Sequence, residues 1–162
     1  MKYLAQRMKY IAHRGNIEGC KPDLENSPAY IDLALREGYY VEVDVWGTPS
    51  GLFLGHDRPE YLVTEEFFED REWRLFCHCK NVDALSVLQK LQCPSYFFHE
   101  NDPYTITSNG FIWCYPNYTP PTQNAIIVMP EKWMDIDKFD DYATQHNLVG
   151  VCSDVVKLLK YK

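Results

Sequence analysis

What this sequence lacks narrows its role before anything it contains. It has no basic excess: 16 Lys and Arg against 23 Asp and Glu leave a formal charge of -7 and a pI near 5.2. A nucleic-acid groove needs a basic face, and no run of Lys and Arg here exceeds two residues. No nucleic-acid partner is expected, although a local basic spot for one phosphate is allowed. No segment approaches the ~18 apolar residues of a membrane span. The first twelve residues, MKYLAQRMKYIA, lack the ~7–15-residue apolar core of a secretory signal. A soluble, cytoplasmic chain is expected, with its six cysteines reduced. No CxxC pair is present. In the one Cys-rich stretch, Cys77-His78-Cys79, a strand would turn both thiols away from the imidazole, so structural zinc is not expected there. Repeats, low-complexity tracts and linkers are absent as well, so residues 1–162 are read as a single domain.

Against these absences stand 46% hydrophobic and 15% aromatic residues, enough for a real core. Seven short apolar runs recur, rich in β-branched and aromatic residues: "KYIAHRG" (9–15), "YYVEVDV" (39–45), "LFCHCK" (75–80), "SYFFHEN" (95–101), "GFIWCYP" (110–116), "AIIVMPE" (125–131) and "VGVCSD" (149–154). Most are apolar on both sides, as parallel strands covered by helices are. Helical spacing appears three times. In "ENSPAYIDLALREG" Ser27 is a candidate N-cap, Pro28 a good first residue, Ile31, Leu33, Ala34 and Leu35 an apolar face, and Gly38 a stop. Residues 81–92 place Val82, Leu85, Leu88 and Leu91 on one face, and residues 135–147 form the third pattern. Residues 101–123, rich in Pro, Asn and Thr, read as loops with little helix. The alternation predicts an α/β fold with a largely parallel sheet.

The polar endings of these strands carry the chemistry, because ligands in parallel α/β folds bind at the carboxyl ends of strands. His13-Arg14, Glu42 with Asp44, His78 with Lys80, and His99-Glu100 all fall there. Glu42 and Asp44, two apart on a strand, project to the same face at roughly 6–7 Å. At an effective dielectric of 20 their charges repel by about 2.5 kcal/mol. A bound Mg²⁺ or Ca²⁺ would relieve this; so would a half-exposed strand with its acids in water. Arg14 offers a fork that suits phosphate or carboxylate. Lys80, if aimed into a pocket, needs an anion. His13 and His56 have the pKa range of an acid–base pair, whereas each taken alone also fits an ordinary polar turn.

Taken in order, "AHRGN", "ENSPAYIDLALREGYYVEVDV" and "LFLGHD", over about residues 10–57, resemble the glycerophosphodiester phosphodiesterase family. "LFCHCK" and the terminal "GVCSD" continue the match more weakly. The resemblance implies a TIM-type β/α barrel, here trimmed, with fewer or shorter helices than usual. It implies a phosphodiester hydrolase of lipid metabolism acting on a glycerophosphodiester or a similar small or lipid-derived diester. By carry-over His13 and His56 are general acid and base, in an order left open. Glu42 and Asp44 hold one divalent cation, Arg14 and Lys80 bind the substrate phosphate, and Glu25 contacts the metal or stands behind its ligands. Asn26 is read as shaping the turn into the helix. Members usually carry Glu-x-Lys where this chain has His78-Cys79-Lys80. His78 is then the third ligand, and imidazole brings Mn²⁺ or Zn²⁺ into play beside the family's Mg²⁺ or Ca²⁺. The insertion after the His-Asp motif is nearly absent, and the chain is well short of the ~250 residues of a typical barrel. Bare strands are therefore expected on one side, or a second subunit covering them. The rival expectation is a non-catalytic member that binds a metal or a phosphorylated ligand.

Overall fold

The computed structural model describes residues 8–71, 73–91, 95–121 and 123–161. Residues 1–7, on which part of the leader reading rests, lie outside the described residues, as do Gln92 and Cys93. Strict alternation of side chains organises the sheet. Ile11, Phe76, Ile126 and Cys152 point to its concave face and share one cluster with Phe97, Phe111 and Trp113. Their neighbours Ala12, Cys77, Ile127 and Val151 point outward and pack under helices. Burying an Ile or Leu completely, as at Ile126 or Leu88, contributes about 1.5–3 kcal/mol.

The elements run β1 (Lys9–His13), α1 (Pro28–Arg36), β2 (Tyr40–Thr48), β3 (Gly51–Leu54), β4 (Tyr61–Val63), α2 (Glu65–Glu69), β5 (Leu75–Cys79), α3 (Val82–Lys90), β6 (Tyr96–Phe98), β7 (Tyr104–Ile106), β8 (Ile112–Cys114), β9 (Ala125–Val128), α4 (Phe139–Gln145), β10 (Gly150–Ser153) and α5 (Val156–Lys160). All seven expected strands and all three expected helices form, each within its expected span except β2, which runs three residues further, to Thr48. Helix α1 buries Tyr30, Ile31, Ala34 and Leu35 but leaves Leu33 outside. Ser27 sits at its N-cap without a side-chain bond, and Pro28 begins the helix as expected. In α3 the inward residues are Ala84 and Leu88, with Val82 exposed. A 3₁₀ turn at Ile136–Lys138 opens the third helical pattern before α4 takes over.

Seven strands pair in parallel in the order β6-β5-β2-β1-β10-β9-β8. Strands β3, β4 and β7 pair antiparallel. The sheet thus has ten strands among the described residues. It is a curled, mixed half-barrel, which corrects the TIM-type barrel expected from the sequence. The parallel ladder ends at β6 on one side and at β8 on the other, and β8 gives its free edge to the antiparallel β7. The cause lies between β6 and β9. Pro103, Pro116, Pro120 and Pro121 interrupt this stretch, and proline removes a backbone donor and breaks helices. The β8–β9 connection, residues 115–124, is too short for the usual crossover helix. Among the described residues no helix is long and apolar enough to cross a membrane.

Candidate active site

Register builds the site. His13 on β1 lies beside Glu42 on β2, and Asp44 on β2 lies beside His78 on β5. Period-2 alternation turns these four side chains to the concave face, while Val41, Val43 and Val45 pack outward against the helices. Cys77 and Cys79 also pack outward, so the thiols lie on the opposite face from His78, as the sequence indicated. Beyond β1 the chain must turn sharply. Arg14 and Gly15 both take positive φ, 54° and 91°, and a Cβ on Gly15 would meet Tyr30 at 2.8 Å.

The strand ends open into a cavity of about 360 Å³. His13, Arg14, Glu42, His56, His78 and Lys80 all line it. Asp44 lies just beneath, 1% exposed. Its Oδ2 accepts from Asn26 Nδ2 at 2.9 Å and lies 3.0 Å from Arg14 Nε, and its own N–H donates to Asn26 Oδ1 at 2.9 Å. Asn26, at φ 62°, therefore shapes the turn as expected and also holds Asp44 in place. The Asp44 Oδ1 atom lies 3.2 Å from His78 Nδ1 and 3.6 Å from Lys80 Nζ. Glu25 is removed from the cavity. It accepts from Arg14 at 3.1 Å and from Asn16 at 2.7 Å, so it steadies the guanidinium from behind. His56 arrives on the turn after β3, where Gly55 donates to the Asp44 carbonyl at 3.2 Å and accepts from Trp46 Nε1 at 2.7 Å. The ring's Nδ1 is 2.7 Å from Asp57 Oδ1.

Electrostatics separates the two histidines. Burial opposes charge on His13, but its hydrogen bond to Asp154 and the charge of Glu42 outweigh burial and raise its pKa. Burial and then the Arg14 charge lower that of His56. The two carboxylates diverge as well. Burial, reinforced by Asp44, pushes Glu42 up. Burial would also raise Asp44, yet His78, Arg14 and Lys80 prevail and hold it well below the usual carboxylate range.

Glu42, Asp44 and His78 each offer one ligand atom, all within 4.8 Å of one another. Glu42 Oε2 and Asp44 Oδ1 are buried and accept no hydrogen bond. Two buried carboxylates set around the His78 Nδ1 atom, Asp44 Oδ1 at 3.2 Å and Glu42 Oε1 at 3.8 Å, form a donor set that fits a divalent cation.

Several residues at the site had no role assigned from the sequence. Asp154, just past β10, holds His13 Nδ1 at 2.7 Å, is itself bonded by Asn16 Nδ2 at 2.9 Å, and its backbone N–H donates to Glu131 Oε1 at 3.0 Å. The rule about carboxyl ends of strands, applied to "VGVCSD", would have found it. Lys132, Tyr115 and Met129 complete the far wall of the cavity, together with His99 and Glu100, whose orientation the sequence left open.

No protein-family model matches this sequence, and no curated protein does either. Among solved structures the chain is similar to a glycerophosphodiester phosphodiesterase from Agrobacterium tumefaciens str. C58, with a TM-score of 0.54 and 15% identity, over 94% of this chain and 98% of the other. At that identity the likeness is one of fold.

Proposed function

We propose that this chain is a divalent-cation-dependent phosphodiester hydrolase that acts on a glycerophosphodiester or a similar small or lipid-derived diester. One observation carries the reading. Two histidines with opposed pKa shifts face a single cavity whose floor is the Glu42–Asp44–His78 group and whose wall bears Arg14 and Lys80. The fold it shares with a phosphodiesterase supports the same chemistry.

Glu42, Asp44 and His78 would hold the cation, which when bound polarises the phosphoryl oxygens. Arg14 and Lys80 bind non-bridging oxygens and stabilise the charge that develops on them. His56, held toward its neutral form, accepts the proton of the attacking hydroxyl. His13, held toward its charged form, donates its Nε2 proton to the leaving alcohol oxygen as the ester bond breaks. Asp154 accepts from His13 Nδ1–H and so keeps Nε2 for the cavity. The nucleophile is water or, as the motif resemblance allows, a neighbouring hydroxyl of the substrate, passing through a cyclic phosphate. The reading carries a cytoplasmic setting and a role in lipid turnover; the five cysteines among the described residues are free, in keeping with a reducing compartment.

The test is steady-state hydrolysis of a panel of glycerophosphodiesters, each with Mg²⁺, Ca²⁺, Mn²⁺ or Zn²⁺. Cation-dependent release of an alcohol from at least one of them is expected. Cation binding with no turnover of any member would replace the hydrolase with a metal-binding module.

A further inference from the structure

We infer that His78 ligates the cation through Nδ1, in a tautomer imposed by the backbone just after β6, at His99, and that this makes the site select first-row transition ions over Mg²⁺ and Ca²⁺. The inference rests on the metal group of the proposed hydrolase but concerns which ion that group holds.

The tautomer follows from one contact. His78 Nε2 lies 3.0 Å from the backbone carbonyl of His99. A carbonyl oxygen can only accept, so Nε2 carries the hydrogen, and the lone pair of the neutral ring is left on Nδ1. Nδ1 is the atom that faces the acids, 3.2 Å from Asp44 Oδ1 and 3.8 Å from Glu42 Oε1. A lone pair aimed at two carboxylates is repulsive unless a cation or a proton lies between them.

The ring has little freedom to turn away. It lies flat on Phe97, with centroids 5.1 Å apart and planes 9° apart. Phe97 is in turn fixed against Trp113 at 4.6 Å. The carbonyl that imposes the tautomer is anchored too. The His99 ring stacks on Tyr115 at 4.6 Å, and its Nε2 is bonded to the Asp102 carbonyl. A metal-bound histidine is oriented by what its other nitrogen donates to, and such partners set both ring position and ligand basicity. Here that partner is main chain.

Ion preference follows from the donor atoms. Two carboxylates and one imidazole offer a nitrogen where an all-oxygen site would offer a third acid. Mg²⁺ and Ca²⁺ favour oxygen, whereas imidazole favours Zn²⁺, Co²⁺ and their neighbours. The two acids also balance a divalent charge without the excess negative charge that a third acid would add.

Two measurements test this apart from catalysis. First, dissociation constants for Co²⁺, Zn²⁺, Mg²⁺ and Ca²⁺ are measured by competition with a chromophoric chelator. Co²⁺ and Zn²⁺ should bind at least about 100-fold more tightly than Mg²⁺, and His78→Glu should narrow that ratio to about tenfold or less. Second, ¹⁵N spectra of the wild-type imidazoles, with and without Zn²⁺, should show metal at His78 Nδ1 and a retained hydrogen on Nε2. This second readout needs no variant and holds if His78→Glu fails to fold. Equal or tighter Mg²⁺ binding, an unchanged ratio in His78→Glu, or a His78 signal that Zn²⁺ does not move would each overturn the inference. A protein that passes both tests yet cleaves no diester keeps the inference and loses the hydrolase. One that turns over diesters with Mg²⁺ bound more tightly than Co²⁺ does the reverse.

Discussion

His13 is the residue whose surroundings are most strongly specified. Its Nδ1 is bound to the Asp154 carboxylate, which accepts from Asn16 and whose backbone N–H donates to Glu131, so the imidazole has one tautomer and one direction. Because Asp154 is among the forces that raise the His13 pKa, Asp154→Asn should lower it, as read from the His13 ring-proton titration by NMR. The same variant should cut turnover at least about tenfold, toward the ~10⁴-fold scale of a histidine held in the wrong tautomer. An unmoved titration with unchanged turnover would reduce Asp154 to a structural residue. The pH profile follows from the two shifts. Activity should fall on the acid side as His56 is protonated and on the alkaline side as His13 loses its proton, with the acid limb below the ordinary histidine range of ~6.5. At this scale the sequence was legible wherever a residue type and its strand position coincided. Glu42, Asp44, His78 and Lys80 alternate visibly, and the structure turns them inward. Asp154 was not assigned, because its partner lies 141 positions away and only sheet order brings β10 beside β1. For Glu25 the sequence leaves two places open, at the metal or behind its ligands; in the structure its carboxylate accepts from Arg14, whose Nε lies 3.0 Å from Asp44.

Elements meet the site through a few backbone contacts. The clearest joins β2 to α3. Asn81 accepts from the Gly47 N–H at 3.0 Å and donates to the Gly47 carbonyl at 2.8 Å, pairing with β2 as a strand residue would. The same side-chain oxygen caps α3 through Ala84 N–H at 2.9 Å. Gly47 is obligatory in this arrangement, since a Cβ there would lie 2.5 Å from Ala84 N. Asn81→Ala removes a helix cap and leaves two β2 groups short of partners. It should cost about 1–3 kcal/mol in denaturant unfolding, and Tm should drop by about 2–4 °C per kcal/mol in a chain of this size. A loss below ~0.5 kcal/mol would show that water replaces these bonds. Long apolar runs and capped helices were legible because local composition decides them. The three-residue strands β4 and β7 and the one-turn helices α2 and α5 were not. Length alone does not decide this, since β6 and β8 are equally short but lie in apolar aromatic runs; β4 and β7 are half-exposed and pair antiparallel with β3 and β8.

At the scale of the molecule, the half-barrel gathers the carboxyl ends of its parallel strands around one cavity and leaves the ladder open between β6 and β8. The motifs therefore conveyed the half of the fold that bears the candidate site, β1, β2 and β5, more faithfully than its closure. Closure is a property of the Pro-interrupted return from β6 to β9, where no local pattern announces how strands will pair. That β1–β2–β5 segment, with the turn after β3 that bears His56, carries the central claim, that His13 and His56 form an acid–base pair over a phosphate site. Turnover of an active glycerophosphodiester by the wild-type chain, His13→Ala and His56→Ala, at a saturating divalent cation, tests this most directly. The account predicts a loss of roughly 10²–10⁴-fold in each variant with the fold retained, and turnover unchanged in both would contradict it.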